Sequence, residues 1–133
     1  DGLCDVLVDD ILAFHRGHDA FATVTSVPLY STYGVIESDS AGIVTRMREK
    51  PILNNLWMNA GFFVFDRAVF DHWEGADLER EVLPALVKKG LLASYQHPGF
   101  FKSMDSYKDQ QEFEEMFTRT EPPWIPSPAH RMG

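Results

Sequence analysis

Two aspartates occupy positions from which a carboxylate could serve a metal ion. Asp1 precedes Gly2 and the first helical pattern; Asp105 follows the predicted strand 100–104 and directly precedes the last helical pattern. In open α/β sheets ligands gather at the carboxyl ends of strands, so a carboxylate at such a junction is placed to hold a hard cation such as Mg²⁺. From spacing alone a helix N-cap is the favoured reading of Asp105, and Asp1 taken alone is a chain terminus. In Arg48-Glu49-Lys50-Pro51 the proline ends a strand and biases Lys50 toward extended backbone. Two adjacent charged side chains are thereby presented at a sheet edge, where Lys50 could meet a phosphate and Glu49 a sugar hydroxyl; a solvated strand end is the alternative.

Asn59-Ala60-Gly61 interrupts an apolar run. A buried amide must be hydrogen-bonded and a strand glycine often marks close approach by a ligand, so Asn59 faces either a site or neighbouring backbone. Tyr33-Gly34 at a strand entry reads as a turn or as a place where a ligand reaches the backbone. His15 and His18 lie three apart, but no carboxylate or cysteine follows at zinc-like spacing, and a solvated helix face is expected. Cys4 has no evident activating base and reads as a small buried side chain. Phe62, Phe63, Phe65 and Phe70 read as core. The sequence contains no G-x-S-x-G and no Walker-type glycine loop.

Helices and strands must position these residues. Asp5 is the expected cap of a helix that carries Leu7, Ile11, Leu12 and Phe14 on the helical period and ends at Gly17. The β-branched stretch 21–27 predicts a strand that stops at Pro28. Residues 34–37 and 43–48, around the turn-forming Asp39-Ser40-Ala41-Gly42, predict a hairpin. Residues 51–56 read as an exposed loop, and the apolar run 57–65 as a central strand buried on both faces. Two short helices over 68–73 and 79–89, strands over 92–96 and 100–104, and a helix over 106–117 follow. The tail, with Pro122, Pro123, Pro126 and Pro128, is expected to be extended or irregular. Interleaved helices and strands place the chain in the α/β class with a mixed sheet flanked by helices, the hairpin arguing against a purely parallel one.

The chain has 133 residues, 12 Lys and Arg against 20 Asp and Glu, and a net charge of −8. An acidic chain without a basic run lacks the electrostatic footprint of a nucleic-acid binder. Its apolar stretches fall far short of the ~20 residues that span a bilayer. A single cysteine and no basic-then-apolar leader fit a reducing cytoplasm. Because the first residue is Asp1, a fragment or processed chain is expected.

Six motifs in order resemble the second half of the sugar-phosphate nucleotidyltransferase family: Asp1-Gly2-Leu3-Cys4-Asp5, Ala22-Thr23-Val24-Thr25, Tyr33-Gly34-Val35, Glu49-Lys50-Pro51, the run 57–65, and Met104-Asp105-Ser106-Tyr107-Lys108-Asp109. None is specific by itself; together they run from Asp1 to about Trp124. Within the family the likeness is strongest to the branch that acts on glucose 1-phosphate with CTP, and Pro123-Trp124 shares it.

The resemblance implies the C-terminal half of a Rossmann-like nucleotidyltransferase fold: a partial, sugar-phosphate-binding domain over 1–121 and an irregular tail over 122–133. It implies Mg²⁺ held by Asp1 and Asp105, Glu49 on sugar hydroxyls, Lys50 on the sugar phosphate, and Tyr33, Gly34, Asn59 and Gly61 lining the sugar pocket. The implied reaction is attack by a sugar 1-phosphate on the α-phosphorus of a nucleoside triphosphate, with release of diphosphate. The family's glycine-rich loop with its Arg and Lys is not found in these 133 residues, so the chain by itself is expected to be inactive. An exposed apolar edge is expected to drive homo-oligomer formation. A non-catalytic sugar-phosphate-binding or oligomerisation module is the alternative reading.

Overall fold

The computed structural model describes residues 2–119 and 121–125. Its elements are β1 (Gly2–Cys4), α1 (Val8–Arg16), β2 (Ala22–Tyr30), β3 (Val35–Ser38), β4 (Val44–Arg48), β5 (Ile52–Phe65), a 3₁₀ turn (Arg67–His72), a π turn (Leu78–Val82) leading into α2 (Leu83–Lys88), β6 (Leu92–Gln96), β7 (Phe101–Ser103) and α3 (Tyr107–Phe117). β2 is the centre of a three-stranded sheet, antiparallel to β5 on one side and parallel to β6 on the other. β1 pairs antiparallel with β7, and β3 with β4. The mixed sheet with interleaved helices is the expected class.

Local chemistry explains most boundaries. α1 starts after Leu7 rather than Asp5, because the Asp5 carboxylate is engaged elsewhere; it ends at Gly17 as expected. Asp9 and Asp10 lie in its first turn and His15 and Arg16 in its last, complementing the helix dipole. β2 does not stop at Pro28. β6 accompanies it only as far as Ser26, so at Pro28 only the β5 side is paired and the missing N–H is tolerated. Pro84 opens α2 and has no N–H for the carbonyl of Arg80, and the chain winds there as a π turn, with the Leu83 N–H donating to Leu78. Asp77 caps that turn by accepting from the N–H groups of Glu79 and Arg80.

Two expectations for residues 51–65 are corrected. Residues 52–56 are strand, not loop, and β5 is an edge strand rather than a central one. Its apolar run was read as burial on both faces, but Leu56, Trp57, Met58 and Phe62 are exposed. The core lies beyond its far end, where Ala22, Val69, Val82 and Leu86 are fully buried against Phe65, Trp73 and Leu92. Burial of such Val and Leu side chains stabilises by about 1.5–3 kcal/mol each. Of the four phenylalanines assigned to the core, Phe63 and Phe65 stack at 5.6 Å and are partly buried, whereas Phe62 is 36% and Phe70 67% exposed.

Polar contacts join the sheets. His97 Nε2 meets Asp5 Oδ1 at 2.7 Å, the His97 N–H donates to the Ser26 carbonyl, and the Asp5 N–H donates to that of Phe100. These bonds tie β1 and β7 to β2. His15 and His18 do not form a solvated face: His15 Nδ1 at 2.8 Å and His18 Nε2 at 3.0 Å both meet the hydroxyl of fully buried Thr23. Cys4 is half-buried, and burial raises its thiol pKa, in keeping with a packing role. No helix among the described residues is long and apolar enough to cross a membrane.

Candidate functional site

The hairpin leaves and re-enters the three-stranded sheet at one place, and four candidate residues collect there. Tyr33 and Gly34 lie in the link from β2 to β3, while Glu49 and Lys50 lie between β4 and β5. The Ser31 N–H donates to the Pro51 carbonyl at 2.9 Å, closing the two links on each other. A Cβ on Gly34 would stand 3.1 Å from Glu49 Oε2, so the Glu49 carboxylate lies against the bare Gly34 backbone. Lys50 is exposed and has φ of 43°, not the extended backbone expected from Pro51. That left-handed turn swings the chain from β4 into β5, and a non-glycine residue held there is a strained one, a condition that recurs at ligand sites. Tyr33 is 78% exposed.

Asn59 and Gly61 form a β-bulge. Ser26 pairs with Asn59 and Val24 with Phe63, so residues 60–62 oppose Thr25 alone. Gly61 takes φ of 81°, and its N–H donates to Asn59 Oδ1 at 2.8 Å. The Asn59 amide is therefore exposed rather than buried as expected, and its carbonyl is spent on holding the bulge, leaving the NH₂ group for a ligand. The Thr25 hydroxyl opposite the bulge is buried with no hydrogen-bond partner among the described residues.

Asp105 lies between β7 and α3 and is exposed. It is not the helix cap; that is Ser106, whose hydroxyl accepts from the Asp109 N–H while Asp109 accepts from the Ser106 N–H. Asp105 thus offers a hard oxygen donor, and among the described residues its carboxylate is engaged in no side-chain hydrogen bond, while its backbone N–H donates to Asp109 Oδ2. Asp1, its expected partner, lies outside the described residues, and among those described no group of three or more His, Cys, Asp or Glu side chains suits a metal ion.

A cleft of about 540 Å³ is lined by sequence neighbours of several of these residues. Its walls are Val27 to Tyr30 of β2, Met58 of β5, and Phe100 to Ser103 at β7, with Thr32, Lys102 and Asp109 as polar members. None of the candidates among the described residues lines it, but Thr32 adjoins Tyr33, Met58 adjoins Asn59, and Ser103 is two residues from Asp105. Lys102 escaped the sequence reading because a lysine in a three-residue strand carries no periodic signal. Asp109 did have a signal: Ser106 followed three residues later by an acidic residue is capping-box spacing. Lys102 is mostly buried between Asp109 and Glu112, and these partners, Glu112 above all, raise its pKa.

A family model described as nucleotidyl transferase matches residues 1–109. The glucose-1-phosphate cytidylyltransferase of Salmonella typhi is 31% identical over 126 residues, covering 93% of this chain and 49% of that protein. A mannose-1-phosphate guanyltransferase of Gibberella zeae is 34% identical over 117 residues, covering 82% of this chain and 32% of its own length. The chain therefore spans about half the length, or less, of these curated relatives. Among solved structures, a chain from Bacillus anthracis named for glucose-1-phosphate thymidylyltransferase superposes with a TM-score of 0.55 at 16% identity, over 84% of this chain and 49% of that one, a likeness of fold.

Proposed function

Because the chain belongs to the nucleotidyl transferase family, we propose that it forms the acceptor side of a sugar-phosphate nucleotidyltransferase, with glucose 1-phosphate as acceptor and CTP as donor. The observation that carries this reading is the junction where Gly34, Glu49 and Lys50 meet at the mouth of the hairpin beside the cleft. There Glu49 receives hydroxyl hydrogens of the sugar, Gly34 allows the ring to approach the backbone, and the Lys50 ammonium neutralises the phosphate. Tyr33 covers the sugar, and the bulge at Asn59 and Gly61 presents the Asn59 NH₂ group to it.

In the reaction a phosphate oxygen of the sugar attacks the α-phosphorus of the triphosphate and diphosphate leaves, so no protein nucleophile is required. Two polyanions must meet, and the chain's task is to orient the attacking phosphate and offset its charge. Asp1 and Asp105 are the residues we assign to Mg²⁺, which when bound would offset the charge of the nucleotide phosphates. The choice of CTP rests on the likeness around 57–65, 104–109 and Pro123-Trp124, and on a cytidylyltransferase relative that covers 93% of the chain. GTP is the competitor to test, given the guanyltransferase relatives.

Calorimetric titration of the 133-residue chain with glucose 1-phosphate is expected to show saturable binding that weakens about 10–100-fold in Lys50→Ala, the loss of one charge-assisted contact. With CTP or GTP and Mg²⁺ added, no diphosphate is expected. Turnover by this chain would overturn the need for a separate nucleotide-binding part, and absence of sugar-phosphate binding would favour a structural module.

A further inference from the structure

We propose that Asp109, anchored by Lys102, is a positioning residue for Asp105, an inference that rests on reading Asp105 as a metal-binding carboxylate. Asp109 Oδ2 accepts from the backbone N–H of Asp105 at 3.2 Å, the N–H of Ser106 at 2.9 Å and the Ser106 hydroxyl at 2.7 Å. Its other oxygen, Oδ1, accepts from Lys102 Nζ at 3.2 Å. Lys102 is held in turn by Glu112 at 2.7 Å and stands 5.7 Å from the centre of the Phe113 ring. One carboxylate thus fastens two successive amides of the turn that carries Asp105, and is itself fastened to β7.

A helix cap needs less than this. The capping box is complete with the Ser106 hydroxyl and the Ser106 and Asp109 amides. The bond to the Asp105 amide lies one residue before the cap, and the tie to Lys102 reaches a strand outside the helix. These two surplus contacts act on the backbone of Asp105 and on the approach of α3 to β7. A single exposed carboxylate gains affinity for a cation when its backbone is fixed in advance, and supporting contacts of this kind change metal affinity by on the order of ten-fold or more.

The test uses Mn²⁺ as probe, with free Mn²⁺ read by electron paramagnetic resonance in titrations of the whole chain, together with hydrogen exchange at the Asp105 amide. Asp109→Ala and Lys102→Met are expected to weaken Mn²⁺ binding on the order of ten-fold and to speed exchange at Asp105. Lys102→Arg restores both, and Ser106→Ala, which loses the cap hydroxyl and its bond to Asp109 Oδ2 but keeps both backbone amides and Lys102 on that carboxylate, loses less than Asp109→Ala. If Ser106→Ala loses as much as Asp109→Ala, Asp109 is a cap and nothing more. If exchange at Asp105 is unchanged in Asp109→Ala, the positioning role is wrong whatever the metal does. Mn²⁺ binding unchanged in Asp105→Asn overturns the metal reading itself, a failure separable from the previous two.

Discussion

A hydroxyl has one hydrogen to give, and Thr23 spends its own between two imidazoles. The Thr23 hydroxyl lies within hydrogen-bonding distance of both His15 Nδ1 and His18 Nε2, and it can give its hydrogen to one ring nitrogen while accepting an N–H from the other. Burial, and then the neighbouring His18, lower the pKa of His15, while Asp66 pulls the other way and Arg16 adds to the lowering. A histidine whose pKa is lower folded than unfolded contributes stability that is complete above about pH 6.5 and declines as acid protonates the unfolded chain first. Urea denaturation is therefore expected to show lower stability near pH 5.5 than near pH 7.5, with a shallower difference in His15→Gln. Thr23→Val leaves the ring nitrogens without a buried partner and is expected to cost about 1–3 kcal/mol at neutral pH. The sequence could not show this cluster, because the spacing of His15 and His18 is local while their partner sits on another element. Lys50 was misjudged for a related reason. Pro51 biases the residue before it toward extended backbone, but closure of the hairpin onto β2 forces the left-handed turn.

The elements depend on a few close approaches between loops. At Gly99 an added Cβ would stand 2.6 Å from Asp5 Oδ1 and 2.7 Å from the His97 ring. Gly99→Ala must push apart the pair that ties β1 and β7 to β2, and is expected to destabilise by about 1–3 kcal/mol, read as a fall in the denaturation midpoint. Little change would mean that the loop yields at no cost. Elements with local signals were legible: the hairpin with its turn at Asp39 to Gly42, α3, although its cap is Ser106 and not Asp105, and β6, whose bounds are those expected. β5 was not. An apolar run reports that a strand exists but not which faces are covered, and Leu56, Trp57 and Met58 look the same in sequence whether they meet core or solvent. Pro28 was likewise ambiguous, since its effect depends on which neighbouring strand has already ended.

At the scale of the whole molecule, exposed apolar side chains extend along β5 at Ile52, Leu56, Trp57, Met58 and Phe62 and across the hairpin at Ile36, Val44 and Met47. An edge strand and a two-stranded hairpin with such surfaces favour association, and light scattering is expected to give a mass above that of one 15.1 kDa chain, whereas a monomer at micromolar concentration would contradict it. The family was legible from six ordered motifs, but the arrangement around the cleft was not, because Tyr33, Asn59 and Asp105 are neighbours of its walls only after three separate strands have been placed. The acceptor-site reading stands or falls on where a sugar phosphate binds. Amide chemical shifts followed by NMR during titration with glucose 1-phosphate measure that directly. The account predicts saturable shifts shared by Gly34, Glu49, Lys50, Asn59 and Gly61 and lost in Lys50→Ala; shifts that cluster elsewhere, or none at all, would contradict it.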